Sequence, residues 1–544
     1  MAPIPRSFHR ISAHSSSMPK IVIIGAGIGG LSVGIALKRQ LRFTDFTIYE
    51  KAADVGGTWR DNIYPGASSD AYIHFYSLST DLEPDWPSTH GSQPDTLAYW
   101  RKLAHKYDLY PQIVFNHLVI SAEWNAKEEI YNVVTKDGEG RRSSTTAKIL
   151  ISAIGILEVP RFPDISGIAS FGGKSFHSAQ WDAEVDLRGK RVAVVGNGPS
   201  AMQFVPIISQ DPTVKVTQFC RTPHWLVPPI RADYSPRWKW AFNYIPLAMR
   251  LYRFTLYLRS ELFYLLVYHH ASLRQPFEKR TTEYIRATAP QSDLAHLIPN
   301  YEMGCKRVIL DTNFLPSLHR PNMSLNWDGI QSICTEGLIT KTGDKLEFDV
   351  MIFATGFVAD RFPLVIRGAG GRSVQEYYEE QGCPKAYIGT TIPGFPNMFM
   401  ISGPNTTTGH ISVVFTEELQ IDYIIKFVKP ILGGVVSSFE VTPTATDRYN
   451  KRIQEMLSRS VHTSCTSWYR TGGDGPISSI FPGPGILFWW WTRRPQWDDY
   501  CVDAASTPRW NSIVRWRKIK MFVFRALYLL LPVWLLVRRS AGLG

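Results

Sequence analysis

No two of the six cysteines in this chain stand in a C-x-x-C arrangement; Cys220, Cys305, Cys334, Cys383, Cys465 and Cys501 are scattered through 544 residues. That spacing excludes a redox-active dithiol of the disulfide-reductase kind and offers no structural zinc pattern. Dispersed thiols in a large chain suit a reducing compartment. A secretory signal is also lacking: the first 18 residues carry Arg6, His9, Arg10 and His14 but no acid and no apolar core. A disordered tail over 1–18 is expected there, with a transit peptide as the alternative. The basic excess, +12 from 59 basic and 47 acidic side chains, is not gathered into an arm, and no nucleic-acid motif is present. It suits phosphorylated cofactors or anionic lipid.

What the chain does have is apolar and aromatic. Hydrophobic residues make up 44%, charged residues 19% and aromatic residues 13%, with 17 Trp. A chain of this length and composition folds into two or three domains. Most of the rings are expected in cores.

The stretch KIVIIGAGIGGLSVGIALKRQ reads as a buried strand, a glycine turn and a helix, with Gly25, Gly27 and Gly30 as G-x-G-x-x-G. The first glycine permits the turn, the second lets the backbone approach a pyrophosphate, and the third lets helix and strand pack closely. A second strand, FTIYE, ends in Glu50, whose carboxylate suits a ribose. The unit recurs in KRVAVVGNGPSAMQFVPII, where Gly196, Gly198 and Ala201 form G-x-G-x-x-A, followed by VKVTQFCRT with Arg221 and Thr222. Glu50 follows Gly25 by 25 residues, and Arg221 follows Gly196 by the same 25. A carboxylate in that slot repels a 2′-phosphate, whereas an arginine clasps it. The first unit is therefore assigned FAD or NAD, and the second NADP(H).

KLEFDVMIFATGF, with Asp349, and NMFMISGPNT read as further apolar strands with glycine turns. The predicted fold is α/β, with two Rossmann-like dinucleotide-binding domains, the second inserted in the first. The expected boundaries are 19–160 for the first part of the FAD domain and 161–190 for a linker. An NADPH domain follows over 191–345, with a helical insertion at 225–300. The FAD domain resumes over 346–510, with a lid loop, and 511–544 forms a C-terminal apolar and basic helix.

The linker string FGGKSFHSAQWD then carries a specific resemblance. Phe171, Gly173, His177, Trp181 and Asp182 satisfy F-x-G-x-x-x-H-x-x-x-W-P/D, the fingerprint of Baeyer–Villiger monooxygenases. GGTW (Gly56 to Trp59), YPGASSD (Tyr64 to Asp70), GCKR (Gly304 to Arg307) and ATGF (Ala354 to Phe357) also resemble that family, over roughly 19 to 500. The chain looks closest to the fungal branch that tailors polyketides or terpenoids.

The resemblance implies FAD and NADPH as cofactors, with O₂ and a small hydrophobic ketone as substrates. The expected reaction inserts one oxygen beside the carbonyl to give an ester or lactone. It implies that Arg307 stabilises an anionic oxygen adduct of the flavin, and that Asp70 orients the arginine and lies at the flavin. Around Asp70 the family form is Arg-Cys-Asp or similar, whereas here it is Ser68-Ser69-Asp70. Arginine suits the post because it keeps its proton. At roughly 4 Å opposite unit charges attract by about 1 kcal/mol in bulk water and about 4 kcal/mol at an effective dielectric of about 20, so dryness matters.

Lys306 is expected on the 2′-phosphate, and Gly57, Thr58, Trp59 and Tyr76 by the flavin. Asn197, Ser200 and Gln203 are expected on the NADPH phosphates. The fingerprint is expected to act as a jointed linker between two domain arrangements, with His177 as a positioning residue. The run SCTSWYRTGGDGPISSIFPGP resembles the family's closing loop, with Trp468 and Tyr469 as contact candidates. No metal ligand set is expected.

Two rival functions share the motifs. One is an N- or S-oxygenating flavin monooxygenase, against which Trp181-Asp182 and Arg307 weigh. The other is a non-catalytic flavin- and NADPH-binding scaffold.

The tail contains a 17-residue apolar stretch, Met521 to Val537, broken by Arg525; its charge-free part, Ala526 to Val537, spans 12 residues. A spanning helix prefers about 20. A short anchor, an interfacial helix and a helix docked on the enzyme all remain open, so an intracellular enzyme with membrane contact through residues 519–539 is one expectation. The oligomeric state is not legible.

Overall fold

The structure, a computed structural model, describes residues 20–520 and residue 523. Two parallel sheets dominate it. In the first, Ile21–Ile24 lies between Phe46–Tyr49 and Ile149–Ser152, with Ile113–Val114 and Met398–Met400 at the edges. Ile21–Ile24 and Ile149–Ser152 are buried along their whole length, as the apolar runs of a parallel sheet covered on both faces require. The helices Ile28–Ala36 and Val413–Leu432 pack against each other over this sheet.

The second sheet orders Lys174–His177, Val350–Phe353, Arg191–Val195, Lys215–Phe219 and Met323–Asn326, again all parallel. Its core gathers Val192, Val194, Phe204, Val216 and Ile352. Two of the expected boundaries move. Val350–Phe353 completes this second sheet, pairing with Arg191–Val195, so the chain has not yet returned to the first domain at 346. The return comes at Met398–Met400, which pairs with Ile149–Ser152. The segment 161–190 is likewise not a free linker, because Lys174–His177 is the edge strand of the second sheet.

Between the second glycine unit and the Arg307 segment, the helices Pro236–Tyr244, Ala248–Phe263 and Ala271–Thr288 form an insertion. Residues 507–520 are helical, held through Trp510 against Phe439 and Trp497. The apolar run expected beyond them lies outside the described residues except for Val523. No helix among the described residues is long and apolar enough to cross a membrane.

The cysteine reading is corrected at one pair. Cys305 and Cys465, 160 residues apart, form a disulfide with Cα atoms 6.1 Å apart, while Cys220, Cys334, Cys383 and Cys501 are free thiols. Sequence spacing could not show this, because the pairing is purely tertiary.

Candidate active site

Both glycine turns are built as their sequences require. Gly25 has φ +98°, and a Cβ on Gly30 would sit 1.9 Å from the Gly25 carbonyl oxygen, so helix and strand touch only because both are glycine. A second loop closes on the turn: a Cβ on Gly57 would lie 2.9 Å from the Gly27 Cα. The result is a cradle walled by backbone at the N-terminus of the helix Ile28–Ala36. Glu50 is buried beside it. One of its oxygens accepts from Ala26 N at 2.7 Å, the other from Ala52 N at 3.0 Å and Arg60 Nη1 at 3.1 Å. That leaves one of a carboxylate's roughly four acceptor positions for a ribose. Thr58 opens the short helix Thr58–Asp61. Trp59 donates to the Tyr76 hydroxyl at 3.2 Å and meets its ring edge-on. Four expected residues thus share one place.

At the second turn Gly196 has φ +108°, and Gly198 faces open space before the helix Pro199–Ile208. Asn197 donates to the Thr222 carbonyl at 2.9 Å. Lys306 donates to the Thr222 hydroxyl and stands 4.9 Å over the Tyr301 ring. Burial, with the nearby Arg221 charge, lowers the Lys306 ammonium to about 8. Arg221, Thr222 and Lys306 therefore form one cationic corner past the end of the strand Lys215–Phe219.

Gln203 and Ser200 depart from expectation. Gln203 accepts from the Tyr64 hydroxyl at 3.1 Å and donates to the Ser68 carbonyl at 3.0 Å; Ser200 also hydrogen-bonds Tyr64. Both side chains turn to the first domain rather than to the glycine turn, because the YPGASSD segment packs against their helix.

Asp70 and Arg307 meet across the cleft between the domains. Arg307 Nε and Nη2 donate to the two Asp70 oxygens, each at 2.6 Å, a bidentate fork. About a third of each side chain, 35% for Arg307 and 31% for Asp70, faces the cleft; protein surrounds the rest. Burial opposes ionisation of Asp70, but the guanidinium outweighs it and holds the carboxyl below its usual range. The carboxylate in turn holds the Arg307 proton more firmly still. His90, beside Asp70, is driven down to about 4 by burial.

Sequence reasoning missed the apolar wall around this fork. Tyr268, from the helical insertion, is buried with its hydroxyl unpartnered. Its ring lies 5.8 Å from His410 and 5.4 Å from His462. A Cβ on Gly409 would strike the Tyr268 hydroxyl at 2.1 Å, so this glycine makes room for the ring. Tyr469 is buried, its phenol pushed up to about 12 by burial, whereas Trp468 beside it is 42% exposed. The disulfide fastens this loop to the residue just before Lys306 and Arg307.

The fingerprint is part of the second domain. A Cβ on Gly173 would lie 2.5 Å from the Asp349 carbonyl oxygen and 2.7 Å from the Phe171 ring. His177 is buried, accepts from Ala179 N at 3.1 Å, and is kept neutral by burial, down to about 4. It meets Phe357 of ATGF edge-on at 5.8 Å. Trp181 packs on Phe204 at 5.2 Å, and Phe204 on Tyr64 at 6.0 Å. Asp182 caps Glu184 N. The string thus reaches the first domain through packed rings, not through a hinge. No cluster of metal ligands is found among the described residues.

The chain matches the model of the flavin-binding monooxygenase-like family over residues 18–366. A Baeyer-Villiger monooxygenase of Pseudomonas aeruginosa is 35% identical over 517 residues, covering 93% of this chain and 96% of that relative. The FAD-binding monooxygenase ktnD of Aspergillus niger is 32% identical over 91% of this chain and 84% of its own length. In fold, the chain resembles the closed crystal structure of cyclohexanone monooxygenase, with a TM-score of 0.79 at 24% identity, over 90% of this chain and 100% of that one.

Proposed function

The chain belongs to the flavin-binding monooxygenase-like family and is an NADPH-dependent flavin monooxygenase of the Baeyer–Villiger type; from that premise we propose that it converts a lipophilic ketone to an ester or lactone. The observation that carries the reading is the Arg307–Asp70 fork, set in the cleft between two nucleotide turns. FAD fits the first turn, because the Gly27–Gly57 contact leaves a backbone-walled cradle no side chain enters. NADPH fits the second, because Arg221, Thr222 and Lys306 supply the chemistry a 2′-phosphate needs. When bound, the reduced flavin supplies the activation of O₂.

The chain's own residues do the rest. Asp70 fixes the guanidinium plane, so its cationic edge toward the cleft is oriented before any substrate arrives. Arg307 keeps its charge at every working pH and stabilises negative charge developing on oxygen at the carbonyl carbon. Tyr268 and Tyr469 exclude water from that position, which strengthens the interaction severalfold over bulk solvent. His177, neutral and buried, holds the ATGF turn and transfers no proton.

The apolar, aromatic cleft supports a polyketide or terpenoid ketone as substrate. Membrane contact through residues 519–539 belongs to the same proposal; Trp516, Ile519 and Val523 stand exposed at helical spacing where the described chain meets that run. The test is to incubate the FAD-loaded enzyme with NADPH and a panel of cyclic and acetyl ketones. A product heavier by one oxygen atom is expected. NADPH consumption without any oxygenated product across the panel would contradict it.

A further inference from the structure

The helix Ala248–Phe263 wears its amphipathicity inside out. Its inward side presents Arg253, which donates to the carbonyls of His74 and Ser77, each at 2.7 Å, and pairs with Glu418 at 3.2 Å. Its outward side presents leucines. Leu247, Leu251, Phe254, Leu258, Leu262 and Leu265 recur at steps of three and four, the spacing of one helical face, and all are exposed, Leu247 by 71% and Leu251 by 65%. The buried Arg253 prevents the helix from rolling over to hide them, since that would strand a charge without partners.

The stripe is extended at both ends. The helix Pro236–Tyr244 adds exposed Trp238, Trp240 and Tyr244. At the other end, the helix Gly485–Thr492 is docked by Ile486 N donating to Glu261 at 3.2 Å and adds exposed Ile486 and Trp490. Soluble monomers rarely leave contiguous apolar surface of this extent uncovered.

The charges around the stripe say what covers it. Arg237, Arg250 and Arg259 are exposed along it. Between residues 236 and 265 the sequence has a single acid, Glu261, already engaged by Ile486. A second copy would set arginines against arginines. The C-terminal run cannot neutralise them either, since residues 521–544 contain Arg525, Arg538 and Arg539 and no acid. The occupant must be apolar in its interior and negative at its rim, with an interface that accepts tryptophan and tyrosine.

We propose that this face, led by Leu251, Phe254 and Leu258, is a docking surface for an anionic phospholipid bilayer, on which the enzyme lies without spanning. Arg259 of the same helix sits 5.0 Å over the ring of Tyr72, two residues beyond Asp70, so docking sets the reaction cleft close to the lipid. The proposal is independent of the C-terminal run and of which ketone is used.

The test uses full-length, FAD-loaded enzyme in which Leu530→Asp and Leu536→Asp break the C-terminal run. It is sedimented with phosphatidylcholine vesicles with and without phosphatidylserine. The chain is expected to bind phosphatidylserine vesicles, less so at high salt. Leu251→Glu/Phe254→Glu/Leu258→Glu is expected to lower partitioning about tenfold or more and to leave NADPH-driven flavin reduction in buffer unchanged. Should that triple variant fail to load FAD, Arg237→Glu/Arg250→Glu is expected to remove the preference for phosphatidylserine. Three results would overturn the proposal. The tail-broken chain could stay in the supernatant, which gives the binding to the tail. The stripe variants could bind as well as their parent. Or the triple variant could convert a dimer to a monomer with no vesicle binding by the parent, which makes the face a self-interface.

Discussion

At Arg307 two donors are fixed on Asp70, and the cation is thereby aimed before any ligand arrives. A neighbouring side chain, Lys306, is tuned the other way. Burial and the Arg221 charge bring its ammonium to about 8, so its charge is complete below that pH and is lost as pH rises through it. Since kcat/KM for NADPH reports ionisations of the free enzyme, it is expected to fall above pH 8, approaching about tenfold per pH unit. The fall should vanish in Lys306→Arg, which keeps its proton. A wild-type profile flat to pH 10 would contradict this assignment. For Arg221→Ala, steady-state kinetics should show NADPH weakened about tenfold and NADH by less than about twofold, since only the former carries the extra phosphate. An unchanged preference would place the phosphate elsewhere.

Among elements, the closing loop and the Arg307 segment are a single unit because Cys305 and Cys465 join them. Closing so long a loop restricts the unfolded chain by about 2–5 kcal/mol in the entropic view. In a reducing compartment such a bond is expected to be transient or redox-responsive. Cys465→Ser should therefore let water into the cleft. The expected readout is more hydrogen peroxide released per NADPH, with flavin reduction by NADPH unchanged. Equal peroxide in both proteins would show that the tie does not serve water exclusion.

Elements also show where the sequence is legible and where it is not. The glycine turns, Glu50, Arg221 and the Arg307 motif are local patterns, in which spacing along the chain sets geometry, and they come together as read. Val350–Phe353 was misplaced because an apolar strand of four residues carries no mark of which parallel sheet it joins. Gln203 was misassigned because its helix has two faces, and only the packed YPGASSD segment decides which one it uses. The Tyr268, His410 and His462 cluster comes from three distant segments with no shared pattern, so nothing in the chain announces it.

On the scale of the whole molecule, two nucleotide domains hold a fixed cation between them, and a loop and an inserted helix pair shut water out of the cleft. The fingerprint string ties the halves through rings, Trp181 on Phe204 on Tyr64, which carries a domain movement to the segment bearing Asp70. The central claim is that Arg307 acts on oxygen transfer and not on reduction. The direct measurement is a single turnover under ¹⁸O₂ with wild type and Arg307→Ala, following flavin reduction and label in the product. The account predicts that both proteins are reduced by NADPH at similar rates, and that labelled ester falls by at least about a hundredfold in the variant. Labelled ester from Arg307→Ala at the wild-type yield would contradict it.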